Sequence, residues 1–328
     1  MNRRTLLLQG LSTVIAPALG AYPAWGQGKY PERPIRLVIP YPPGGVNDAV
    51  GRPWADRMKP LLGTVVIENI GGAGGTIGVA AVARAQPDGY AILIGNNGNL
   101  VITPIAASKP IYSPTRDFEM ICRLVTTGLA FAVHPSLPVR NMKELVQYAR
   151  NNPGKLSYGS PGNGTTNHLA GEMFKLVTKA DIVHVPYRGV GPATTDLLGG
   201  QIPLMVAVVT GQLLELHRAS KLNVLAVTTP ERLKVAPDIP TAIEAGIPEM
   251  TAQGFNAVLA PKGTPKTIIE RIAQVTRTAM ADKDLQQVLI ANGFEPDLDS
   301  SPEKMRRFLE DEIARWTPVI RAIGLKVD

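Results

Sequence analysis

At 328 residues, with 45% hydrophobic and 19% charged side chains, the chain has the length of about two soluble globular domains and is too apolar for a disordered one. Its formal charge of +7 is dispersed over residues such as Arg33, Arg57, Lys155, Arg188, Lys234 and Lys262, without runs or interleaved aromatics. That excludes a nucleic-acid stripe and leaves a mild preference for small anions. Cys122 is the single cysteine, so an intramolecular disulfide is excluded, and in MICRLV it reads as a small buried apolar side chain.

The chain opens on a basic Met1-Asn2-Arg3-Arg4, an apolar stretch from Thr5 to Ala18, and the small residues of Ala24-Trp25-Gly26. This is the layout of an export signal over residues 1–26, cleaved after Gly26. Arg3-Arg4 followed by Thr5-Leu6-Leu7 resembles a twin-arginine signal, and a Sec signal fits as well. Cleavage removes two arginines and no acid, taking the charge from +7 to +5. No later apolar run approaches the roughly 20 residues a membrane span needs.

Alternation at Ile35, Leu37 and Ile39 predicts a first strand ending at Pro40, and Asp48 to Leu62 predicts a helix. Val65 to Ile67 is a second strand, Gly71 to Gln86 a glycine turn into an alanine-rich helix, and Tyr90 to Gly95 a third strand. The pattern then resets. Strands are expected at Phe131–Pro135, within KLSYG, and at Ile182–Tyr187, in PLMVAVV and at Asn223–Thr229. Helices fall between them at Met142–Asn151, His168–Leu176, Ala193–Gly199 and Gln212–Ala219. Strand character resumes at Asn256–Pro261, and three helices close the chain near Pro265–Met280, Asp284–Asn292 and Pro302–Ile323. Alternating strands and helices predict a largely parallel sheet. A terminal helical block without its own sheet must pack on the first unit. The chain therefore divides into two discontinuous α/β domains, 27–128 with 251–328, and 129–250.

Each unit carries one glycine-rich strand-to-helix turn, at VIPYPPGGVNDAVGR and at YGSPGNGTTNHLAGEMF, with Gly44 and Gly162 118 residues apart. Ligands of parallel α/β sheets sit beyond the carboxyl ends of the strands. A helix start there presents unpaired N–H groups and the positive end of the macrodipole to a carboxylate or phosphate. Caps are expected from Asn47 or Asp48 on the first helix and from Thr165, Thr166 or Asn167 on the second. A bare Asp48 would repel an anion unless N–H groups occupy its oxygens.

Other chemistries lack their residues. Gly72-Ala73-Gly74 would need glycine at 77 for a dinucleotide loop and finds Ile77, and no Walker lysine follows a glycine loop. A nucleophile elbow at Ser160 would need glycine where Tyr158 stands. His134, His168, His184 and His217 have no metal-ligand spacing, and His168 is expected to serve packing or solvation of its helix. No catalytic acid/base pair, metal or cofactor is expected.

Eight segments in order carry a resemblance: PERPIRLVIPYPPGGVND, VIENIGGAGGTIG, AQPDGYAILIG, HPSLPVRNMKELVQYAR, NPGKLSYGSPGNGTTNHLAGEMF, HVPYRGVGPATTDLLGGQ, LAVTTPERL with PDIPTAIEAGIP, and LAPKGTPKTIIERI. In these, nearly the whole mature chain resembles the Bug family, the periplasmic solute-binding receptors of tripartite tricarboxylate transporters. The resemblance implies a two-lobed α/β Venus-flytrap fold of the periplasmic-binding-protein kind, with discontinuous domains. It also implies a cleft that closes on a small carboxylate, held mostly by main-chain N–H groups, hydroxyls and waters. The implied first-lobe binders are Tyr41, Gly44, Gly45 and Asp48 with the Gly95–Asn99 loop, including Asn96 and Asn97. The second-lobe binders are Ser160, Asn163, Gly164, Thr165 and Thr166, with Arg188 and Gly189 nearby. The implied partners are the carboxylate and membrane transporter subunits, and the receptor is expected to be a periplasmic monomer.

Departures from the family pattern bear on the ligand. Asn96-Asn97-Gly98-Asn99 and Thr103-Pro104 stand where small and hydroxyl residues, then Asn-Pro, are usual; Pro203 follows Ile202 where an aspartate is common; and Phe255, expected as a further ligand-binding residue, lies where a tryptophan is common nearby. These swaps keep a larger carboxylate, such as an aromatic one, among the expectations. A sensory receptor, or an exported enzyme acting on a carboxylate through Asp48 or His168, remains as an alternative.

Overall fold

The computed structural model describes residues 30–327; the expected export signal, with its type and cleavage point, lies outside them. The first stretch runs β1 (Ile35–Ile39), α1 (Val46–Leu62), β2 (Val65–Asn69), α2 (Thr76–Ala83) and β3 (Ala91–Asn96), then a π-helical turn at Gly98–Ile102 and α3 (Thr103–Ala106). A 16-residue strand, β4 (Phe118–Val133), leads into the second stretch. There follow α4 (Met142–Asn151), β5 (Leu156–Ser160), α5 (Thr166–Thr178), β6 (Ile182–Pro186), α6 (Val190–Leu198), β7 (Leu204–Val208), α7 (Gly211–Arg218) and β8 (Asn223–Val227). The chain returns through β9 (Gln253–Pro261) to α8 (Lys266–Met280), α9 (Lys283–Ala291), β10 (Glu295–Pro296) and α10 (Pro302–Ala322).

Local chemistry sets these boundaries. Asn141 accepts the Glu144 N–H at 2.9 Å and starts α4, where sequence alone places it. Along α8, Ile269, Ile272, Ala273, Thr276, Ala279 and Met280 recur at helical spacing and are the buried face. Burying each large apolar side chain contributes roughly 1.5–3 kcal/mol.

The strands follow the path β2-β1-β3-β9-β4-β7-β5-β6, with β8 and β10 paired to β4. β1 lies between β2 and β3, parallel to both, and β5 lies between β6 and β7 in the same way. The chain thus reverses its direction of travel across the sheet at β1 and again at β5, which opens a crevice beyond the carboxyl end of each. The expectation of a largely parallel sheet is corrected. β9 is antiparallel to β3 and β4, and β4 is antiparallel to β7 and β8, because the two long connecting strands run against the strands they join.

β4 pairs with β9 as far as Gly128 and with β7 from Leu129 onward. Next to this changeover the buried Thr228 hydroxyl donates to Ala252 O (2.5 Å), and Leu129 O lies 3.2 Å from it, so all three crossing segments are stitched together. One core cluster, with Ile35, Trp54, Met58 and Ile272, belongs to the first half, and another, with Leu197, Met205, Leu213 and Val224, to the second. A third runs from Val38 and Leu93 through Phe131 and Phe174 to Trp316 of α10, which packs on both β4 and α5. Cys122 is buried as expected, and burial pushes its thiol up to about 12.

Candidate ligand-binding site

The two glycine turns occupy the two crevices. In the first, Gly44 sits at φ +87°, a left-handed conformation that glycine adopts without strain, and Gly45 caps α1 with no side-chain hydrogen bond. Asn47 and Asp48 are inside the helix rather than at its cap. The Asp48 carboxylate turns back instead. Its Oδ2 accepts the Gly44 N–H (2.8 Å) and the Asn69 amide (3.2 Å), while its Oδ1 pairs with Arg52 at 2.7 Å. The oxygens of this buried acid are therefore occupied, which removes the repulsion an anion would otherwise meet. Asn47 is buried as well: its amide donates to Ile94 O of β3 (3.0 Å), and its Oδ1 accepts from Asn96 (3.0 Å) and Asn256 (2.8 Å).

The second turn repeats this plan with other atoms. Gly164 is at φ +74°, and its N–H donates to His168 Nδ1 at 3.2 Å, four residues on, as Gly44 does to Asp48. Asn167 donates to Val206 O of β7 at 2.9 Å, as Asn47 does to β3. Of the three expected caps Thr165 is the one: its Oγ1 accepts the His168 N–H (3.2 Å) and donates to Gly162 O (2.8 Å). The equivalence is Gly44 with Gly164, 120 residues apart, and the repeated pattern is Gly-x-x-Asn-x-x-x-Gly: GGVNDAVG and GTTNHLAG. The final glycines, Gly51 and Gly171, let each helix lie against its strands; an added Cβ would stand 3.3 Å from Ile39 in the first case and 2.1 Å from the Tyr158 ring in the second.

The other expected residues fall into place unevenly. The Tyr41 hydroxyl donates to Asn96 Oδ1 (3.2 Å), and burial raises the phenol above its ordinary pKa. Asn99, which also bonds Asn96 N and lies 3.4 Å from the Tyr41 hydroxyl, completes the loop beside the first turn. Asn97 points away from it: the amide donates to Glu312 of α10 at 3.4 Å, where Trp316 Nε1 also donates (3.0 Å) and Arg315 pairs. Burial raises the Glu312 pKa, with Arg315 opposing. In the second half, Tyr187 N–H donates to Ser160 O (3.0 Å) and Gly189 N–H to Pro161 O (3.1 Å), which sets the exposed Arg188 and the Gly189 start of α6 beside the turn. Arg188 forms no ion pair with the described residues. Asn163 is exposed at the tip, while Ser160 is fully buried and bonds His184 Nε2 at 2.7 Å.

Two expectations change. Phe255 is only 2% exposed and packs edge-on against Phe308 under α10, so its ring is part of the core. The amides of Gly44 and Gly164 are occupied within the protein, since a side-chain acceptor stands four residues on. The donors left at the helix starts are the N–H groups of Val46 and Asn47 on α1 and of Thr166 and Asn167 on α5, which have no intrahelical acceptor to reach. Reading residue by residue missed the structural weight of Asn47, Asn69, Asn167 and His184; the repeated eight-residue pattern was the signal for the two asparagines. The carboxyl-terminal segment reaches both the second turn and α3. Leu325 lies within 3.9 Å of the Cβ position of Gly164, and Val327 N–H donates to Ala106 O of α3. The hollow of about 520 Å³ near Glu119, Thr264 and Arg306 holds none of the expected binders.

Among the described residues no helix is long and apolar enough to cross a membrane. A family model described as tripartite tricarboxylate transporter family receptor matches residues 50–325. The chain is similar to the structure of the periplasmic binding protein BugD, with 35% identity and a TM-score of 0.70 over 90% of this chain and 99% of that one. It is also similar to an R. palustris protein solved with adipate, with 33% identity and a TM-score of 0.74 over 90% of this chain and 99% of that one. MatC from Rhodopseudomonas palustris, solved with bound malate, shares 28% identity and a TM-score of 0.71 over 89% of this chain and 100% of that one. The fold is the two-lobed α/β arrangement of periplasmic binding proteins.

Proposed function

The chain belongs to the tripartite tricarboxylate transporter receptor family, and from that premise we propose that it captures a small carboxylate between its lobes in the periplasm and delivers it to a membrane transporter. Members of this family are solute-binding receptors, and we read this chain as a receptor rather than an enzyme. The lobes are 27–128 with 251–328, and 129–250, and the receptor acts as a monomer. The observation that supports the reading is the repeated turn: two helix starts at two topological reversals, each with first N–H groups that have no intrahelical acceptor and each internally braced four residues on.

A carboxylate suits this arrangement because it accepts several N–H bonds at once and sits at the positive end of both helix dipoles. Each charge-assisted bond contributes roughly 1.5–3 kcal/mol, so contacts in both lobes favour the closed state once a ligand is present. Asp48 does not oppose this, since Arg52, Asn69 and Gly44 occupy its oxygens. Arg188, exposed and without an ion pair among the described residues, is the cation for a second carboxyl group. Adipate and malate, found with two similar proteins, are both dicarboxylates.

Isothermal titration of the purified protein with mono-, di- and aromatic carboxylates tests this. A dicarboxylate is expected to bind, and Arg188→Gln to weaken it by about tenfold while leaving a monocarboxylate within about twofold. Equal losses for both ligands would remove Arg188 from the site, and consumption of a bound carboxylate would favour an enzyme.

A further inference from the structure

The second turn is held at both ends by imidazoles. His184 Nε2 bonds Ser160 Oγ at 2.7 Å where the turn begins, and His168 Nδ1 accepts the Gly164 N–H where it ends. The two rings are stacked, with centroids 4.1 Å apart and planes 22° from parallel. A backbone N–H can only donate, so His168 Nδ1 must be unprotonated and its ring proton must lie on Nε2. A proton arriving at Nδ1 would set two donors against each other. Ser160 has no such constraint, since its hydroxyl rotates to accept from or donate to His184, with Gly162 N–H and Gly162 O both 3.2 Å from it. Two imidazoliums at stacking distance repel, so at most one ring of the pair readily becomes charged.

We propose that the stacked pair is a pH-sensing clamp on the binding turn, with His168 as its positioning residue. Proton uptake at His168 Nδ1 removes the acceptor for Gly164, loosens the start of α5 and releases the ligand in acid. This rests on the reading of that turn as half of the carboxylate site. The groups bearing on His168 are His184 of β6, Tyr158 of β5, and Glu172 and Lys175 of α5. The Tyr158 hydroxyl donates to Glu172 Oε1 (2.8 Å) and lies 3.1 Å from His168 O, and Lys175 pairs with Glu172 at 3.0 Å. Burial lowers both imidazoles, His184 to about 4, while Glu172 opposes the shift. The sign follows. A histidine whose folded pKa lies below its unfolded value of 6.5 favours the folded turn fully above that pH and loses this contribution as pH falls toward the folded pKa. Imidazole is the side chain whose charge ordinarily changes between pH 5 and 8, and the first turn has none at this position.

Nitrogen-15 NMR of the ligand-free protein tests the clamp directly. At pH 7.5 His168 is expected as the Nε2–H tautomer, and the Gly164 amide signal is expected to move with the same midpoint as the His168 ring on acidification. A His168 Nδ1–H tautomer, or a Gly164 signal indifferent to that titration, overturns the proposal. Binding of succinate, a plain dicarboxylate probe, is then compared between pH 7 and pH 5 for the wild type and His168→Asn, whose amide oxygen replaces the acceptor without titrating. Below the folded pKa the wild type should lose up to about tenfold more affinity per pH unit than His168→Asn, the ligand's own protonation cancelling between them. Parallel losses overturn the proposal. If neither succinate nor any other carboxylate of the titration series binds, the carboxylate reading fails on its own, and the NMR result still decides the clamp.

Discussion

The two turns share a backbone plan and differ in the atoms that brace it. Both place glycine at positive φ, an asparagine that reaches a neighbouring strand's carbonyl, and an acceptor that folds back four residues to the glycine N–H. In the first turn the acceptor is a carboxylate matched one helical turn on by Arg52; in the second it is a neutral imidazole with Glu172 one turn on. The difference teaches that the turn's shape needs an acceptor of the right reach, whereas its charge is free to vary. The first lobe thus has a brace of fixed polarity, the second a brace that protons can undo.

The comparison breaks most visibly at the asparagines. Asn47 makes three hydrogen bonds, to Ile94 O, Asn96 and Asn256, whereas the Asn167 amide makes one, to Val206 O. With each buried bond contributing about 1 kcal/mol, Asn47→Leu should cost about 3 kcal/mol and Asn167→Leu about 1 kcal/mol in urea unfolding followed by circular dichroism. Equal costs would mean that the asparagine network around β3 and β9 is not a stabilising unit. Next comes the glycine that ends each repeat. A methyl at Gly171 would stand 2.1 Å from the ring of Tyr158, which is fully buried and hydrogen-bonded to Glu172. At Gly51 the nearest contacts, at 3.3–3.4 Å, are the ends of Ile39, Ile94 and Leu37. Gly171→Ala should therefore lose about 2 kcal/mol through overpacking. Gly51→Ala should lie within about 1 kcal/mol of the wild type, since the helix-propensity gain offsets a tight contact. Thermal unfolding of the two variants side by side decides it.

Much of this plan was legible beforehand, and the misses have a common cause. Periodicity located β1, α4 and α8, because each depends on the burial of its own face. It missed the first thirteen residues of β4, Phe118 to Ala130, whose burial on both faces erases alternation, and it missed β10, whose two residues pair only through a long-range contact. A parallel sheet was expected from strand–helix alternation, a local pattern that is silent about β9 returning between β3 and β4. At the site, the cap of α5 was narrowed to Thr165, Thr166 or Asn167 because capping is local, whereas Asp48 was misplaced because its partners include Asn69, 21 residues away. Aligning Gly44 with Gly162 rather than Gly164 hid the repeated asparagine, since the second turn holds one more glycine than the first unit needs.

The smallest effect sharpens the electrostatic half of the comparison. Arg52 is about half exposed (49%) while Asp48 is nearly buried (5%), so their 2.7 Å pair is partly screened by water. Arg52→Gln should cost only about 0.5 kcal/mol of stability. Its charge nevertheless offsets that of the Asp48 carboxylate near the start of α1, so removal should also weaken a bound dicarboxylate by roughly two- to threefold. High salt screens such a term, and in about 0.5 M NaCl the variant and the wild type should converge. The matching change in the second lobe, Lys175→Gln, removes the partner of Glu172, which hydrogen-bonds Tyr158 and raises the His168 pKa. It should therefore move the acid loss of affinity to higher pH, with little change in affinity at neutral pH. If instead Arg52→Gln left binding unchanged, the Asp48–Arg52 pair would not act on the anion, and the first turn would be a structural copy of the second without its role.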